Sequence, residues 1–187
     1  MSDPIEIFER YSYADFARFP EDFYCELIDG IIYLMGSPSF WHQHLVVELV
    51  FQLRTFLEGK KCRVLVSPFD VRLFPESDDS DDTVVIPDII VVCDSEKLST
   101  GKSCKGAPDF IIEVLSPSTE KRDLITKKSK YAKAEVKECW FISRETVLKC
   151  VLSNGSFIET TILYQFNREP IPIDTLPGLK LTIPVLD

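Results

Sequence analysis

The sequence predicts an α/β fold built on a mixed β-sheet, and four stretches carry this prediction. Ile89–Val92 and Phe110–Val114 are short runs rich in β-branched residues, which is the composition of buried strands. Residues 119–134 have helix-forming composition, and Glu138–Ile142 is again typical of a strand. A strand, a helix and a strand in succession indicate a β-α-β unit with a right-handed crossover, so part of the sheet should be parallel.

Local signals predict the other elements. A core-packing helix is expected from about Phe40 to Leu57, because its apolar residues repeat every three or four positions before Gly59. Asp29-Gly30 and Asn154-Gly155 each separate two strand-like runs, which favours tight hairpins. The remaining predicted strands are residues 26–28 and 31–35, Cys62–Ser67, Asp70–Phe74, 146–152 and 156–163.

Length and composition favour one domain spanning residues 1–187, with 1–24 as an N-terminal arm and 164–187 as a segment that wraps the sheet. Hydrophobic residues make up 45% of the chain, which is ordinary for a globular protein. No apolar run approaches the ~20 residues that span a bilayer, so we expect no membrane partner. The N-terminus lacks the basic and apolar regions of a secretory signal, which favours a cytoplasmic protein.

Cysteine usage supports the same compartment. The six cysteines, at positions 25, 62, 93, 104, 139 and 150, contain no C-x-x-C pair and show no zinc-site spacing. We therefore expect reduced cysteines that serve as small core residues.

The formal net charge of −9 argues against a nucleic-acid partner, because phosphate binding depends on Lys and Arg. The charge is unevenly distributed, however. Residues 75–82 concentrate acid in a loop that should be solvated and mobile, whereas residues 121–137 concentrate base on one helix. This polarity permits a basic face, although a lysine-rich helix is more often simply solvated.

Two carboxylates stand against the predicted central strands. Asp88 directly precedes one strand and Glu113 lies within the next, where an uncompensated charge is costly. A metal ion is the usual compensation for two converging carboxylates. Lys127 shares with Leu124 and Tyr131 the helix face that should point toward the core. Two acids and one lysine directed at one site indicate a catalytic constellation.

These residues resemble the PD-(D/E)XK nuclease superfamily, with its restriction-endonuclease-like fold, and within it the Uma-type endonuclease family. The matching segments are Glu26-Leu27-Ile28-Asp29-Gly30, His42 after Ser37-Pro38-Ser39, Pro68-Phe69-Asp70-Val71-Arg72, Pro87-Asp88, residues 113–119 and residues 127–131. The resemblance implies an αβββαβ core flanked by helices, with extra strands near both termini. It also implies that Asp88 and Glu113 bind a divalent cation, that Glu26 approaches the same site and that Lys127 is the active-site lysine. The superfamily pattern places lysine two residues after the second acid, where this chain has Leu115, so the lysine must come from the following helix.

Four further residues are candidates for substrate contact, each with a structural alternative. His42 could orient substrate phosphate or water, or could simply pack in the core. Asp70 is either a turn residue or an additional ligand, and Ser116 lies in a capping segment directly after the second strand. Lys128 is the alternative to Lys127 on the helix surface.

The expected function is a metal-dependent phosphodiesterase, a DNA endonuclease. Asp88, Glu113 and the carbonyl of Val114 would bind Mg²⁺ or Mn²⁺ through hard oxygen ligands, while Lys127 orients a water or stabilises developing charge. The alternative is a non-catalytic module that has the same fold and binds nucleic acid or protein. Leu115 at the expected lysine position and the acidic net charge favour this alternative. A homodimer or higher homo-oligomer is expected because cutting both strands of a duplex needs two active sites.

Overall fold

The computed structural model describes residues 10–20, 22–116, 120–165 and 168–184. Its strands are β1 Cys25–Ile28, β2 Ile31–Leu34, β3 Arg63–Val66, β4 Asp70–Arg72, β5 Val84–Val85, β6 Ile89–Val92, β7 Ser103–Lys105, β8 Phe110–Val114, β9 Glu138–Ile142, β10 Thr146–Ser153, β11 Ser156–Leu163, β12 Ile171–Pro172 and β13 Lys180–Leu181. Its helices are α1 Tyr13–Phe16, α2 Phe40–Leu57, a 3₁₀ turn Ser95–Leu98, α3 Glu120–Arg122, a π-helical turn Asp123–Lys127 and α4 Lys128–Lys133. Within these ranges no helix combines the length and the apolar character needed to cross a membrane.

A six-stranded mixed sheet in the order β11-β10-β9-β8-β6-β3 forms the centre of the fold. Strands β8 and β9 are parallel, with Glu113 opposite Phe141, and the helical segment 120–133 connects them. The other pairs of this sheet are antiparallel. Together α2, β3, β6, β8, the helical segment and β9 confirm the predicted αβββαβ core, and the handedness of the crossover stays a prediction.

The two hairpins form at the predicted dipeptides. Asp29 and Gly30 have φ values of 51° and 75°, and Asn154 and Gly155 have 50° and 78°. Two consecutive residues at positive φ match the type I′ turn that suits a two-residue hairpin loop. The first hairpin joins β5, β4 and β7 in a second mixed sheet of order β2-β1-β5-β4-β7. It therefore brings β1, and with it Glu26, next to the central sheet.

The central strands are buried on both faces, which explains their continuous apolar sequence. One face packs against Leu45, Leu49 and Leu53 of α2 and against the C-terminal segment, which contributes Ile171 and Leu181. Described residues between 171 and 183 thus contribute to the core on this face. The other face packs against the second sheet and against Tyr131 of α4. Because side chains alternate along a strand, Glu113 points to the same face as Ile111 and therefore toward α4.

The helical segment begins within the described residues at Glu120, and the predicted start at Thr119 lies outside them. Lys127 and Tyr131 are buried and Leu124 is half-buried, so the predicted inward face is confirmed.

Two of the six cysteines contradict the expectation of reduced thiols. Cys62 and Cys93 form a disulfide, while Cys25, Cys104, Cys139 and Cys150 are free and buried, as expected. Cys62 and Cys93 directly flank the paired residues Arg63 and Val92 of β3 and β6, so the strand register places them opposite each other. That register cannot be derived from cysteine spacing alone.

The acidic loop is mostly exposed, as expected, at residues 75–78, 80 and 82, but it is anchored through Asp79 and Asp81. Buried Arg72 holds Asp81 through Nε and Nη2, and its Nη1 lies 2.8 Å from Oδ1 of Asp79. The backbone of the loop also accepts hydrogen bonds from the N–H groups of Tyr13 and Ala14 in α1. A buried guanidinium requires carboxylate partners, so part of the acid in this loop neutralises Arg72.

Candidate active site

Asp88 lies directly before β6 and is held at both carboxylate oxygens. The backbone N–H of Val114 donates to Oδ2 at 2.7 Å, and His42 Nε2 lies 3.1 Å from Oδ1. His42 reaches this point from the first turn of α2, whose N-terminus is capped by Ser39. Two contacts from separate elements fix the orientation of the Asp88 carboxylate at the end of β8.

Lys127 joins two carboxylates from different sheets. Its Nζ lies 2.7 Å from Glu26 Oε1 and 3.0 Å from Glu113 Oε1. The Ile86 N–H donates to the same Glu26 oxygen at 2.9 Å, and the Tyr131 hydroxyl donates to Glu113 Oε1. All of these side chains are buried, so the ion pairs form away from bulk water.

The helical segment contributes two further charged groups. Lys127 Nζ lies 3.5 Å from Asp123 Oδ1, and Arg122 Nη2 lies 3.3 Å from Glu26 Oε2. Asp123 and Lys127 bound the π-helical turn, a widened turn that is frequent at functional sites. The turn places both residues on the buried face, although an exposed Ile125 stands between them.

The buried charges perturb each other strongly. Burial raises the pKa of Glu113 to about 8, and Asp123, Asp88 and Glu26 add to this rise while Lys127 opposes it. Burial alone would lower the pKa of Lys127, but the nearby carboxylates outweigh it and hold the pKa well above its ordinary value. The lysine therefore carries a positive charge in a site crowded with acid.

The donor set fits a divalent metal ion bound mainly by oxygen and water. Glu26, Asp88, Glu113 and Asp123 are four carboxylates, and Lys127 and Arg122 are two cations, which leaves a formal charge of −2. Across the described ranges, no three His, Cys, Asp or Glu side chains are arranged to hold a metal ion by themselves. Mg²⁺ commonly uses one or two carboxylates and keeps several waters. Asp88 and Glu113 are two carboxylates that line the same cavity, and Val114 lines it as well.

The cluster forms the floor of a cavity of about 1100 Å³ that opens to solvent. Its walls come from α2, the β2–α2 loop and the end of β3. The residues that line the walls include Tyr24, Met35, Gly36, Ser37, Pro38, Trp41, His42, Val46, Val47, Val50, Phe51, Arg54, Val66, Ser116 and Arg144. A substrate could therefore reach the buried acids from one side.

The structure brings most of the predicted site residues together but separates two. Lys127 contacts Glu26 and Glu113, and Asp88, Glu113 and Lys127 line one cavity together with His42, Val114 and Ser116. Lys128 instead pairs at 2.7 Å with Glu159 of β11, the edge strand of the sheet whose strand β8 carries Glu113. Asp70 lies in β4 of the second sheet and does not line the cavity.

Three members of the cluster are not among the predicted site residues: Arg122, Asp123, and Tyr131 as a partner of Glu113. Asp123 lies four residues before Lys127 and Tyr131 four residues after it, a spacing that puts side chains on one helix face. This spacing was the available signal. The helix periodicity predicts Tyr131 on the inward face, but the contact of its hydroxyl with Glu113 depends on where the sheet lies.

Comparisons with known proteins give the family of the chain and a similar fold. Residues 8–184 match the Uma2 family, which is described as "Putative restriction endonuclease". The fold is similar to the crystal structure of a putative nuclease from Anabaena variabilis, with a TM-score of 0.71 and 20% sequence identity over 92% of this chain and 95% of that chain. The sequence matches none of the curated proteins.

Proposed function

Because the chain belongs to the Uma2 family of putative restriction endonucleases, we propose that it is a metal-dependent phosphodiesterase that cleaves DNA internally. One observation carries the proposal: the Lys127 ammonium lies within 3.0 Å of both Glu26 and Glu113, beside Asp88, on the floor of an open cavity. Buried ion pairs are often no more stabilising than apolar side chains of similar volume. A buried cluster of this kind in a cavity therefore supports a chemical role.

Asp88 and Glu113, with the carbonyl of Val114, would hold Mg²⁺ or Mn²⁺. The ion supplies charge neutralisation at the scissile phosphate and a bound water of lowered pKa. The protein contributes the orientation of the ligands. His42 and the Val114 N–H hold one oxygen of Asp88 each, so the carboxylate needs little reorganisation before the substrate arrives.

Lys127 would donate a hydrogen bond to the attacking water or to a phosphate oxygen. An ammonium has three N–H donors, and two are directed at Glu26 and Glu113. The third has Asp123 at 3.5 Å, which is beyond the usual hydrogen-bond distance of about 2.7–3.2 Å. That donor is therefore the one available to stabilise charge that develops in the transition state.

Glu26 would act as a positioning residue for Lys127. The Ile86 N–H fixes Oε1 of Glu26, and Arg122 lies 3.3 Å from Oε2, so the carboxylate has a defined place on β1. The contact between Glu26 and Lys127 would hold a lysine in the site, although Leu115 occupies the position where the superfamily pattern has lysine. A lysine from the helix reaches the acids because Glu26 and Glu113 attract it from two sides.

The test is cleavage of supercoiled plasmid by purified protein in Mg²⁺, Mn²⁺ or EDTA, beside the double variant Asp88→Asn/Glu113→Gln. Asp70→Asn serves as the matched control, since Asp70 does not line the cavity. We expect metal-dependent nicking by the wild type and Asp70→Asn, and none by the double variant. Absence of cleavage with every metal would overturn the proposal and favour a non-catalytic module on the same fold.

A further inference from the structure

We infer that the cavity takes an unpaired nucleic-acid strand, with bases against its apolar wall and phosphates toward its arginines. This inference rests on the proposed function of the same site and names its substrate class. Three features of the described residues support it: exposed apolar side chains beside the acids, arginines on the cavity walls, and acids recessed at its floor.

The apolar wall is formed largely by α2 and by the residue that precedes β1. Phe51 is 69% exposed, Val47 61% and Tyr24 57%, although all three line the cavity that contains Glu113. Large apolar side chains gathered in one exposed place usually mark a binding surface. A nucleobase offers a flat apolar face to such a wall, and base stacking on aromatic side chains is the usual way proteins hold single strands.

The cations of the cavity suit a few phosphates. Arg54 of α2 and Arg144 after β9 line it, and the Arg144 guanidinium lies 5.1 Å from the ring centroid of Trp41. On the helical segment, Lys128 pairs with Glu159 and Lys130 with Asp29, whereas Lys121 and Lys133 are exposed. The two pairs reduce the free charge of this basic helix face, and Arg54 and Arg144 line the cavity that also contains the acids, so the cavity is the better phosphate site.

The geometry favours an unpaired strand over a duplex. In a duplex the base faces are stacked on one another and only their edges are accessible in the grooves. The apolar wall would then have no matching surface. Glu113 and Lys127 are only 3% exposed, so a phosphate must enter the cavity to reach them. A volume of about 1100 Å³ exceeds the range of about 300–1,000 Å³ typical of small-molecule sites, which suits a segment of a polymer.

The experiment measures fluorescence anisotropy of a labelled single-stranded oligonucleotide, and of the same strand annealed to its complement, in EDTA so that no cleavage occurs. The proteins are the wild type, Phe51→Ala and the control Phe40→Ala. Phe40 is a second exposed phenylalanine of α2, but it does not line the cavity. Sedimentation of the free proteins runs in parallel.

We expect the single strand to bind at least about tenfold more tightly than the duplex, and Phe51→Ala to lose about fivefold to a hundredfold while Phe40→Ala binds as the wild type does. With two arginines in contact, the logarithmic salt slope should be about −1.4. Equal or tighter duplex binding, or unchanged binding by Phe51→Ala, would overturn the inference even if the plasmid is cut. Dimers that Phe51→Ala dissociates, without an effect on strand binding, would overturn it in favour of a second copy of the chain. Phe51-dependent binding by a protein that cuts nothing would support the inference while the proposed hydrolysis fails.

Discussion

Replacement of Lys127 by Met should destabilise the protein strongly, because it removes the cation that three buried carboxylates share. Met keeps most of the apolar volume of the lysine stem, so the loss is mainly one of charge. Lys127 Nζ lies 2.7, 3.0 and 3.5 Å from oxygens of Glu26, Glu113 and Asp123, all of them buried. Breaking a buried pair by removing one partner costs about 3–5 kcal/mol.

The neighbouring Lys128→Met is the matched control. Lys128 also contacts a carboxylate at 2.7 Å, but its side chain and that of Glu159 are 25% and 41% exposed. Solvent-exposed pairs contribute about 0–1 kcal/mol, so this variant should unfold almost as the wild type does. The two substitutions thus differ chiefly in burial.

The assay is urea unfolding in EDTA, supported by thermal melts. For a chain of this size, a loss of about 3–5 kcal/mol lowers Tm by roughly 6–20 °C. The loss should be smaller at about pH 5 than at about pH 8, since the raised pKa of Glu113 leaves this carboxyl protonated at pH 5, where it no longer needs the lysine. A Lys127→Met protein no less stable than Lys128→Met would refute the assignment of Lys127 as the shared counter-ion.

Three further outcomes follow from the fold. Protein purified without reductant and denatured should show four free thiols, and six after reduction, because Cys62 and Cys93 are bonded; six before reduction would contradict the pairing. Gly30→Ala should lower the free energy of unfolding by about 1–2 kcal/mol, since φ is +75° and a Cβ would lie 3.1 Å from a side-chain carbon; an unchanged urea midpoint would argue against this turn. Arg72→Met should cost about 3–5 kcal/mol in the same assay by leaving buried Asp81 unpaired, and a loss near zero would show that the loop is not anchored there.

Elements that depend on neighbouring residues could be predicted from the sequence. The helix Phe40–Leu57 has the predicted bounds because its apolar periodicity and its Ser39 cap are both local. The hairpin at Asn154-Gly155 forms because those residues adopt positive φ readily. The β-α-β unit follows from the order of three such elements.

Features that depend on long-range pairing could not be predicted. The disulfide requires the register between β3 and β6. The anchored loop requires that Arg72 be buried, and the burial of a charged residue cannot be predicted from its sequence position. In the site, Lys127 could be placed on the inward face of its helix, but its contact with Glu26 depends on a second sheet. The spacing of Asp123 and Lys127 indicates a shared helix face, but their contact also depends on the π-helical turn that both residues bound.

The most direct test of the proposed hydrolysis at Glu113 is the rate at which Glu113→Gln nicks supercoiled plasmid in Mg²⁺, with Glu159→Gln as the control. Both substitutions remove the negative charge that faces a lysine, but only Glu113 lies on the cavity floor. We expect the rate of folded Glu113→Gln to fall by about a hundredfold or more, and Glu159→Gln to cleave at the wild-type rate. Equal rates for the two variants would contradict a role for Glu113 in hydrolysis.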